Sequence, residues 1–132
     1  MDRYQELSAA VLNKNSAAVK EWVSKYCASD FTYTSRDKVK FDRKGFQNGL
    51  LQQMKATKKV LHFTEKMGQL QVAGSRATVG MATDFKGIIV VDGRQLTLTD
   101  KSQTREVWTK QGKDWKLRTV LQTKAETQAY RQ

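Results

Sequence analysis

Apolar residues follow two different spacings along this chain, and the spacing changes near residue 58. In the first 57 residues they recur every three or four positions, which is typical of helices with one buried face. From Lys58 onward they recur at every second position, which is typical of strands with one buried face. The pattern therefore predicts a helical first part and a strand-rich second part.

Three helices are predicted in the first part. The first spans about residues 2–13 with Asp2 as its N-cap, and the second is capped by Asn15 or Ser16 and ended by residues 28–30. The third begins after the N-cap Asp42 and ends near Lys55. Their inward-facing residues are predicted to be Tyr4, Leu7 and Val11 in the first, Val19, Trp22, Val23, Tyr26 and Cys27 in the second, and Phe46, Leu50, Leu51 and Met54 in the third.

Strands are predicted around and after the third helix. A short hairpin of residues 31–35 and 39–41 precedes that helix, since β-branched and aromatic residues favour strands. Long strands follow, with turns at residues 74–75, 92–93 and 111–114, and Gly68 is expected to mark a bulge. One face of the first long strand is predicted to carry Leu61, Phe63, Glu65 and Met67, and the inner face of the last strand is predicted to carry Trp115, Leu117, Thr119 and Leu121.

These elements predict an α+β fold in one domain spanning residues 1–132, with three N-terminal helices packed in a strongly curved, mostly antiparallel sheet. Each helix has a single apolar stripe, so the helices must cover one face of the sheet. A long sheet bent around helices leaves a cone with an open mouth.

The order of elements resembles the nuclear transport factor 2-like superfamily, in particular its SnoaL-like and DUF4440-type branches with the cystatin-like cone fold. Three features carry the resemblance: the helix pair leading into Asp30-Phe31, the strand–helix step at residues 41–46, and the final hairpin with Trp108 and Trp115 on either side of its turn. The resemblance implies a conical barrel with a mostly apolar cavity, often a homodimer through the outer sheet face. Members include isomerases, dehydratases, cyclases and epoxide hydrolases as well as non-catalytic binding proteins, so the fold does not settle the function.

Charge is the compositional outlier, with 24 Lys and Arg against 13 Asp and Glu for a formal net charge of +11. Such a surface can attract nucleic acid or other polyanions. The basic residues are spread along the chain, alternate with apolar positions as on the solvent face of a strand, and accompany no nucleic-acid-binding motif. They favour an ordinary basic surface over nucleic-acid binding, and leave a basic interaction module for polyanions or a protein partner as one alternative.

Several kinds of site are excluded by the residues that the chain lacks. One cysteine and one histidine, His62, build neither a disulfide nor a His- or Cys-rich metal site. No Gly-rich phosphate loop or nucleophile elbow is present, so no cofactor is predicted. No apolar run is long enough to span a membrane and no signal-peptide pattern opens the sequence. We therefore expect a soluble protein without cofactor or metal, of unspecified compartment.

A cavity in the cone is the expected site. Amphipathic aromatic residues suit such a wall, because their rings pack while their polar tips meet a ligand. The residues expected to line it are Trp22, Tyr26, Tyr33, Phe63, Met81 and Phe85. Glu65 shares the strand face of Phe63 and is the one candidate for a catalytic carboxylate, unless the strand end places it in water. Asp84 is expected to face outward, and Glu106 to pair with a basic residue of a neighbouring strand.

The sequence thus favours a non-catalytic domain that binds a small, largely apolar molecule in its cavity, or an anionic one given the basic surroundings. The first alternative is a SnoaL-like lyase or isomerase that uses a cavity carboxylate. No secure acid–base pair is visible, which leaves catalysis open.

Overall fold

Three helices cover one face of a six-stranded sheet in the computed structural model, which describes residues 3–131. We refer to the covered face as the inner face and to the opposite one as the outer face. The elements in chain order are α1 (Arg3–Leu12), α2 (Ser16–Tyr26), β1 (Cys27–Thr34), β2 (Lys40–Asp42), α3 (Arg43–Ala56), β3 (Thr57–Ala73), β4 (Arg76–Val91), β5 (Arg94–Gln111) and β6 (Asp114–Arg131). The predicted α+β class, with three helices ahead of the long strands, is confirmed.

Side-chain caps fix the starts of two helices where they were predicted. The Asn15 side chain accepts a hydrogen bond of 3.1 Å from the Ala18 N–H, and the Asp42 side chain accepts one of 2.7 Å from the Gly45 N–H. Each bond satisfies a backbone donor that the first helical turn leaves without a partner. The predicted capping role of Asp2 lies outside the described residues.

The second helix is shorter than its apolar stripe indicated. It ends at Tyr26, and Cys27 begins β1, whereas the spacing of Cys27 placed it on the helix and residues 28–30 at its end. The prediction was wrong because Cys27 can be buried in this core from a strand as well as from a helix. As the first residue of β1 it is 2% exposed and packs in the same core. Periodicity alone does not separate the two cases at an element boundary.

The sheet order is β2-β1-β6-β5-β4-β3, and every neighbouring pair is antiparallel except β1 and β6, which are parallel. The three long hairpins of β3 to β6 turn at residues 74–75, 92–93 and 112–113, as predicted. In the middle hairpin Asp92 and Gly93 both have positive φ, of 51° and 77°, which a type I′ turn requires.

Bulges decide which residues of the long strands face inward. The bulge predicted at Gly68 is confirmed by a register shift between Met67 and Leu70. Another shift in β3 follows Val60, so Val60 is 8% exposed while Leu61, predicted to face inward with Phe63, is 42% exposed.

The prediction for the inner face of the last strand needs a similar correction. Residues Val107 and Trp108 of β5 pair with Thr119 and Leu117 of β6, so β6 has one extra residue at this point. The face beyond it is therefore reversed: Val120 is 5% exposed and Leu121, predicted to face inward, is 43% exposed. Successive side chains of a strand point to opposite faces of the sheet only as far as the next bulge, where an extra residue reverses the alternation.

The hydrophobic core lies between the helices and the inner face of the sheet, and it includes the four buried residues of α1 and the four of α2. Trp108 belongs to this core, in edge-to-face contact with the ring of Tyr4 at 6.0 Å. None of the helices between residues 3 and 131 combines the length and the apolar character needed to cross a membrane.

Candidate functional site

A cavity of about 170 Å³ lies between the helices and the inner face of the sheet. We call it the cone cavity. All three helices and the strands β1, β3, β4 and β6 contribute to its apolar wall. The wall consists of Tyr4, Leu7, Trp22, Tyr33, Phe46, Leu50, Phe63, Phe85, Leu117 and Val120. Two pairs of these rings are in mutual contact: Tyr33 stacks on Phe46 at 5.5 Å, and Phe63 meets Phe85 edge-to-face at 6.3 Å. Aromatic side chains thus form much of the wall.

The polar part of the wall is concentrated on β5. Four successive inward positions of this strand carry Asp100, Ser102, Thr104 and Glu106, which we call the polar stripe. The intervening residues 101, 103 and 105 are exposed. The stripe lies beside inward-facing Phe85, Thr83, Met81 and Val79 of β4. A row of hydrogen-bonding groups therefore runs through an otherwise largely apolar space.

At one end of the stripe, Glu106 belongs to a buried hydrogen-bond network. The Tyr4 hydroxyl donates to Glu106 Oε1 at 2.5 Å and accepts from the Trp108 indole N–H at 2.9 Å. All three residues are 8% exposed or less. Burial raises the pKa of Glu106, while the hydrogen bonds from Tyr4 and Trp108 oppose that rise. Burial, and then the charge of Glu106, raise the pKa of the Tyr4 phenol. The network fixes α1 on the sheet.

At the other end of the stripe, Asp100 is half-buried and accepts a hydrogen bond of 3.2 Å from the Thr127 hydroxyl. Burial raises the pKa of Asp100, and the Thr127 hydrogen bond opposes the rise. Burial also raises the pKa of Tyr33, with a further contribution from the charge of Asp100 across the cavity. Asp100 and Tyr33 thus interact electrostatically within the cone cavity.

Glu65, the predicted candidate carboxylate, is half-buried on β3 and lines the cone cavity. The Ser8 hydroxyl lies 3.4 Å from Glu65 Oε1, which is a long hydrogen bond. Its charge adds to the upward shift of the Tyr4 pKa, so Glu65 lies near the Tyr4–Glu106 pair. Glu65, Asp100 and Glu106 bring three carboxyl groups to one cavity.

The structure brings together four of the six residues expected to line the site, namely Trp22, Tyr33, Phe63 and Phe85. Tyr26 lies outside the cone cavity because it is the last residue of α2: its hydroxyl donates to Glu6 at 2.9 Å, and the Arg3 guanidinium lies 4.7 Å from its ring centre. Met81 also lies outside it. This side chain is 3% exposed and packs in the hydrophobic core instead.

Sequence reasoning missed Asp100 as a site residue and gave Glu106 the wrong partner. Glu106 contacts Tyr4 and Trp108 rather than the predicted basic residue of a neighbouring strand. A signal was present in β5, where the inward positions between Leu98 and Trp108 are all polar. A strand that lacks an apolar face in its middle, yet lies inside a sheet, must present polar groups to an interior space.

Asp84 was predicted to face outward, and its neighbours lie on the outer face. Asp84 pairs in register with Lys101, and the two lie in an outer hollow that also contains Lys66 and Lys124. His62 is exposed on β3. Lys66, Lys101 and Lys124 thus lie on the outer face, while the residues between 3 and 131 that line the cone cavity include no lysine, arginine or histidine.

A second hollow, open to solvent, adjoins the cone cavity beyond Tyr4. It measures about 360 Å³ and is apolar, with Met67, Leu70 and Val72 of β3 exposed along it. Among residues 3–131 its one charged wall residue is Arg3, whose guanidinium donates to the Trp115 carbonyl at 2.6 Å. This groove lacks the row of polar groups that distinguishes the cone cavity.

The sequence matches no protein-family model and no curated protein. The fold, by contrast, matches many solved structures. A protein from Kribbella flavida is similar with a TM-score of 0.73 and 11% identity over 94% of this chain and 88% of that one. An NTF2-like protein from Cytophaga hutchinsonii is similar with a TM-score of 0.68 and 13% identity over 92% of each chain.

A third structure is an NTF2-like protein of unknown function in nutrient uptake from Rhodospirillum rubrum. It gives a TM-score of 0.63 and 18% identity over 92% of this chain and 93% of that one. At these identities the likeness establishes the architecture and leaves ligand and chemistry open. The helices, the sheet and the cavity between them thus identify the architecture of this chain as the NTF2-like fold.

Proposed function

We propose that this protein binds a small, largely apolar organic molecule in the cone cavity. The observation that carries the proposal is an unfilled space walled by aromatic rings and crossed by the polar stripe of Asp100, Ser102, Thr104 and Glu106. Protein interiors are close-packed, so such a space inside a 132-residue chain is the exception that a ligand explains. The rings offer apolar contact, and the stripe offers hydrogen bonds that orient the ligand.

The volume limits the size of the ligand. An engineered apolar cavity of about 150 Å³ in another protein binds benzene, and pockets for drug-sized ligands measure about 300–1,000 Å³. The cone cavity, at about 170 Å³, belongs at the lower end. The expected ligand is therefore one small ring or an equivalent short chain, on the order of ten non-hydrogen atoms or fewer.

A ligand panel and one pair of variants test this proposal. The panel contains one-ring molecules that are neutral, cationic and anionic, and binding is followed by tryptophan fluorescence and by amide chemical shifts. Ser102→Leu places a larger side chain in the cavity and should abolish binding. Gln103→Leu makes a similar change on the exposed side of the same strand and should leave binding unchanged.

Two results would overturn the proposal. The first is the absence of saturable binding for every molecule of the panel at millimolar concentration. The second is equal binding by the Ser102→Leu and wild-type proteins, provided that circular dichroism shows both to be folded.

Catalysis by a cavity carboxylate is the second candidate. The favouring observation is the raised pKa of Asp100, which moves this carboxyl towards the range useful for proton transfer at neutral pH. With Glu65 in the same cavity, a lyase or isomerase has an acid–base pair available. Conversion of a bound panel molecule that stops in both Asp100→Asn and Glu65→Gln would support catalysis. Unchanged molecules after prolonged incubation would support binding alone.

Homodimer formation through the outer sheet face stays a prediction. The outer face is polar where Asp84, Lys66, Lys101 and Lys124 surround a hollow. Sedimentation equilibrium at several salt concentrations would give the stoichiometry, and Lys101→Glu, at the centre of that face, should weaken a dimer that uses it.

A further inference from the structure

The last part of β3, residues 67–73, extends beyond the helices. The first part of the strand lies beside α1, where Ser8 contacts Glu65 at 3.4 Å, and α1 begins at Arg3. Every residue from 67 to 73 is exposed. Among residues 3–131, no helix therefore covers this end of β3.

This end of β3 forms one wall of the open apolar hollow, which we call the apolar groove. Met67, Leu70 and Val72 line the groove and are 46%, 52% and 60% exposed. Trp108 of β5 and Trp115 of β6 line it as well. Single exposed apolar residues are ordinary on a protein surface, whereas a contiguous group of them marks an interaction site.

The same segment is a sheet edge that could pair with another strand. β3 is last in the strand order, and between residues 3 and 131 no strand pairs with its other side. Proteins usually protect such edges with charged residues, proline or bulges. Residues 67–73, Met-Gly-Gln-Leu-Gln-Val-Ala, contain no charge and no proline. A bulge interrupts the edge between Met67 and Leu70, but the four residues from Leu70 to Ala73 pair regularly with β4 beyond it.

We propose that this end of β3 docks a short extended peptide of a partner protein, with apolar residues at alternate positions and acidic residues at its flanks. The peptide adds a strand to the open edge, so that its backbone pairs with β3. Successive side chains of a strand point to opposite faces, so every second side chain of the peptide enters the apolar groove. The site lies outside the cone cavity and is independent of its ligand.

Basic side chains around the segment favour the acidic flanks. Lys66 directly precedes the segment, and Arg76 pairs in register with Ala73 at its other end. The acidic Asp114 precedes the groove residue Trp115, and it shares a hollow with three basic residues, Arg3, Lys25 and Lys116. A peptide with acidic flanks therefore meets mainly charges of the opposite sign, which promote and orient its binding.

A second copy of this chain fits the edge less well. It would bring the same basic residues to the site, and each copy has a formal net charge of +11, so like charges would repel. A regular edge of four residues beside three exposed apolar side chains is also small. Stable interfaces bury about 1,200–2,000 Å², and smaller ones belong to weak or transient contacts.

A phage-displayed library of random peptides, selected on the full chain, tests the proposal. Enriched peptides should alternate apolar and polar residues between acidic flanks, and synthetic copies of them are titrated by fluorescence anisotropy. Their affinity should fall as salt is raised, because the flanking charges are exposed.

Matched variants assign the binding to the groove. Leu70→Lys and Val72→Lys each place a charge among the apolar side chains and should weaken binding at least about tenfold, since the lost apolar contact is not replaced. Val90→Lys makes the same change at an equally exposed residue, at the other end of β4, and should alter the affinity by less than about twofold. Arg76→Glu should weaken binding about two- to fivefold through its flanking charge.

Amide hydrogen exchange tests the mode of binding, since an added strand should protect backbone amides in residues 67–73. The proposal is overturned if no peptide is enriched, if the enriched peptides have basic flanks, or if binding leaves these amides unprotected. Unchanged binding by Leu70→Lys and Val72→Lys would also overturn it, with circular dichroism confirming their fold. If Leu70→Lys instead converts a wild-type dimer into a monomer, the edge pairs with a second copy, and docking of a partner peptide is refuted.

Discussion

Replacing Tyr4 with phenylalanine removes one oxygen atom from the buried network that joins α1 to the sheet. The aromatic ring remains, so its edge-to-face contact with Trp108 at 6.0 Å is kept. Among the contacts with described residues, the variant loses the hydrogen bond that Tyr4 donates to Glu106 at 2.5 Å and the one that it accepts from Trp108 at 2.9 Å. The variant therefore measures the polar contribution of Tyr4 with little change in packing.

The magnitude follows from the burial of the partners. Glu106 and Trp108 are each 7% exposed, so water does not replace the lost partner. A buried polar group left without its partner costs about 1–3 kcal/mol, and more when it is charged. We expect Tyr4→Phe to lower the free energy of unfolding by about 2–4 kcal/mol.

Urea denaturation followed by far-UV circular dichroism measures this loss. With a slope of about 2 kcal/mol per molar urea, the midpoint should fall by about 1–2 M. Tyr26→Phe is the matched control, since Tyr26 is also 8% exposed and its hydroxyl donates to Glu6 at 2.9 Å. That bond is only partly buried, and its loss should cost about 1 kcal/mol.

The pH dependence adds a second test. The folded-state pKa of Glu106 is raised, so the carboxyl contributes most to stability below its ordinary value of 4.5, and this contribution is lost as pH rises through the folded-state pKa. Tyr4→Phe removes a hydrogen bond that opposes the rise, so the folded-state pKa goes further up. The loss caused by Tyr4→Phe should therefore be larger at pH 8 than at pH 4.5. Equal losses at the two pH values, or equal losses for Tyr4→Phe and Tyr26→Phe, would refute this reasoning.

Three further predictions concern single residues. Gly87→Ala should lower the free energy of unfolding by about 1–3 kcal/mol and lower the melting temperature, because the new methyl group would lie 2.8 Å from the Thr57 methyl. Gly80→Ala is the control: its new methyl group would have open space and should leave packing unchanged. Cys27, whose thiol pKa is raised to about 12 by burial, should react with a thiol reagent at pH 8 only after unfolding, and rapid labelling of the native protein would contradict its placement. Asn15→Ala should lower the free energy of unfolding by about 1 kcal/mol through loss of the α2 cap, measured by urea denaturation, with Asn15→Asp as a control that keeps the cap.

Most of the architecture was predictable because local signals in this chain agree with one another. The stripe Val19, Trp22, Val23 and Tyr26 has the period of a helix, and α2 forms there. The Asp92-Gly93 pair suits a type I′ turn, and the hairpin turns there. Such features depend on residues close in sequence, so the sequence contains the information directly.

The faces of the long strands were predictable only in part. Phe63 and Phe85 point inward as the alternation predicted, whereas Leu61 and Leu121 do not, and the sequence had left the orientation of Glu65 open. A bulge is a property of two paired strands, and β3 and β6 accommodate an extra residue where their partners require it. The sequence of one strand does not contain that register.

The sequence by itself determined the class of fold, the helices with their caps, the turns and the overall positive charge. Only the tertiary structure decided which side chains meet: Tyr4 with Glu106 across 102 positions, and Asp100 with Tyr33 across the cone cavity. It also placed Glu65, Asp100 and Glu106 along the cone cavity and Lys66, Lys101 and Lys124 on the outer face. The physical reason is that helical and strand periods and the net charge depend on the order and number of residues in the chain. A cavity, by contrast, is lined by the few residues that distant elements bring together.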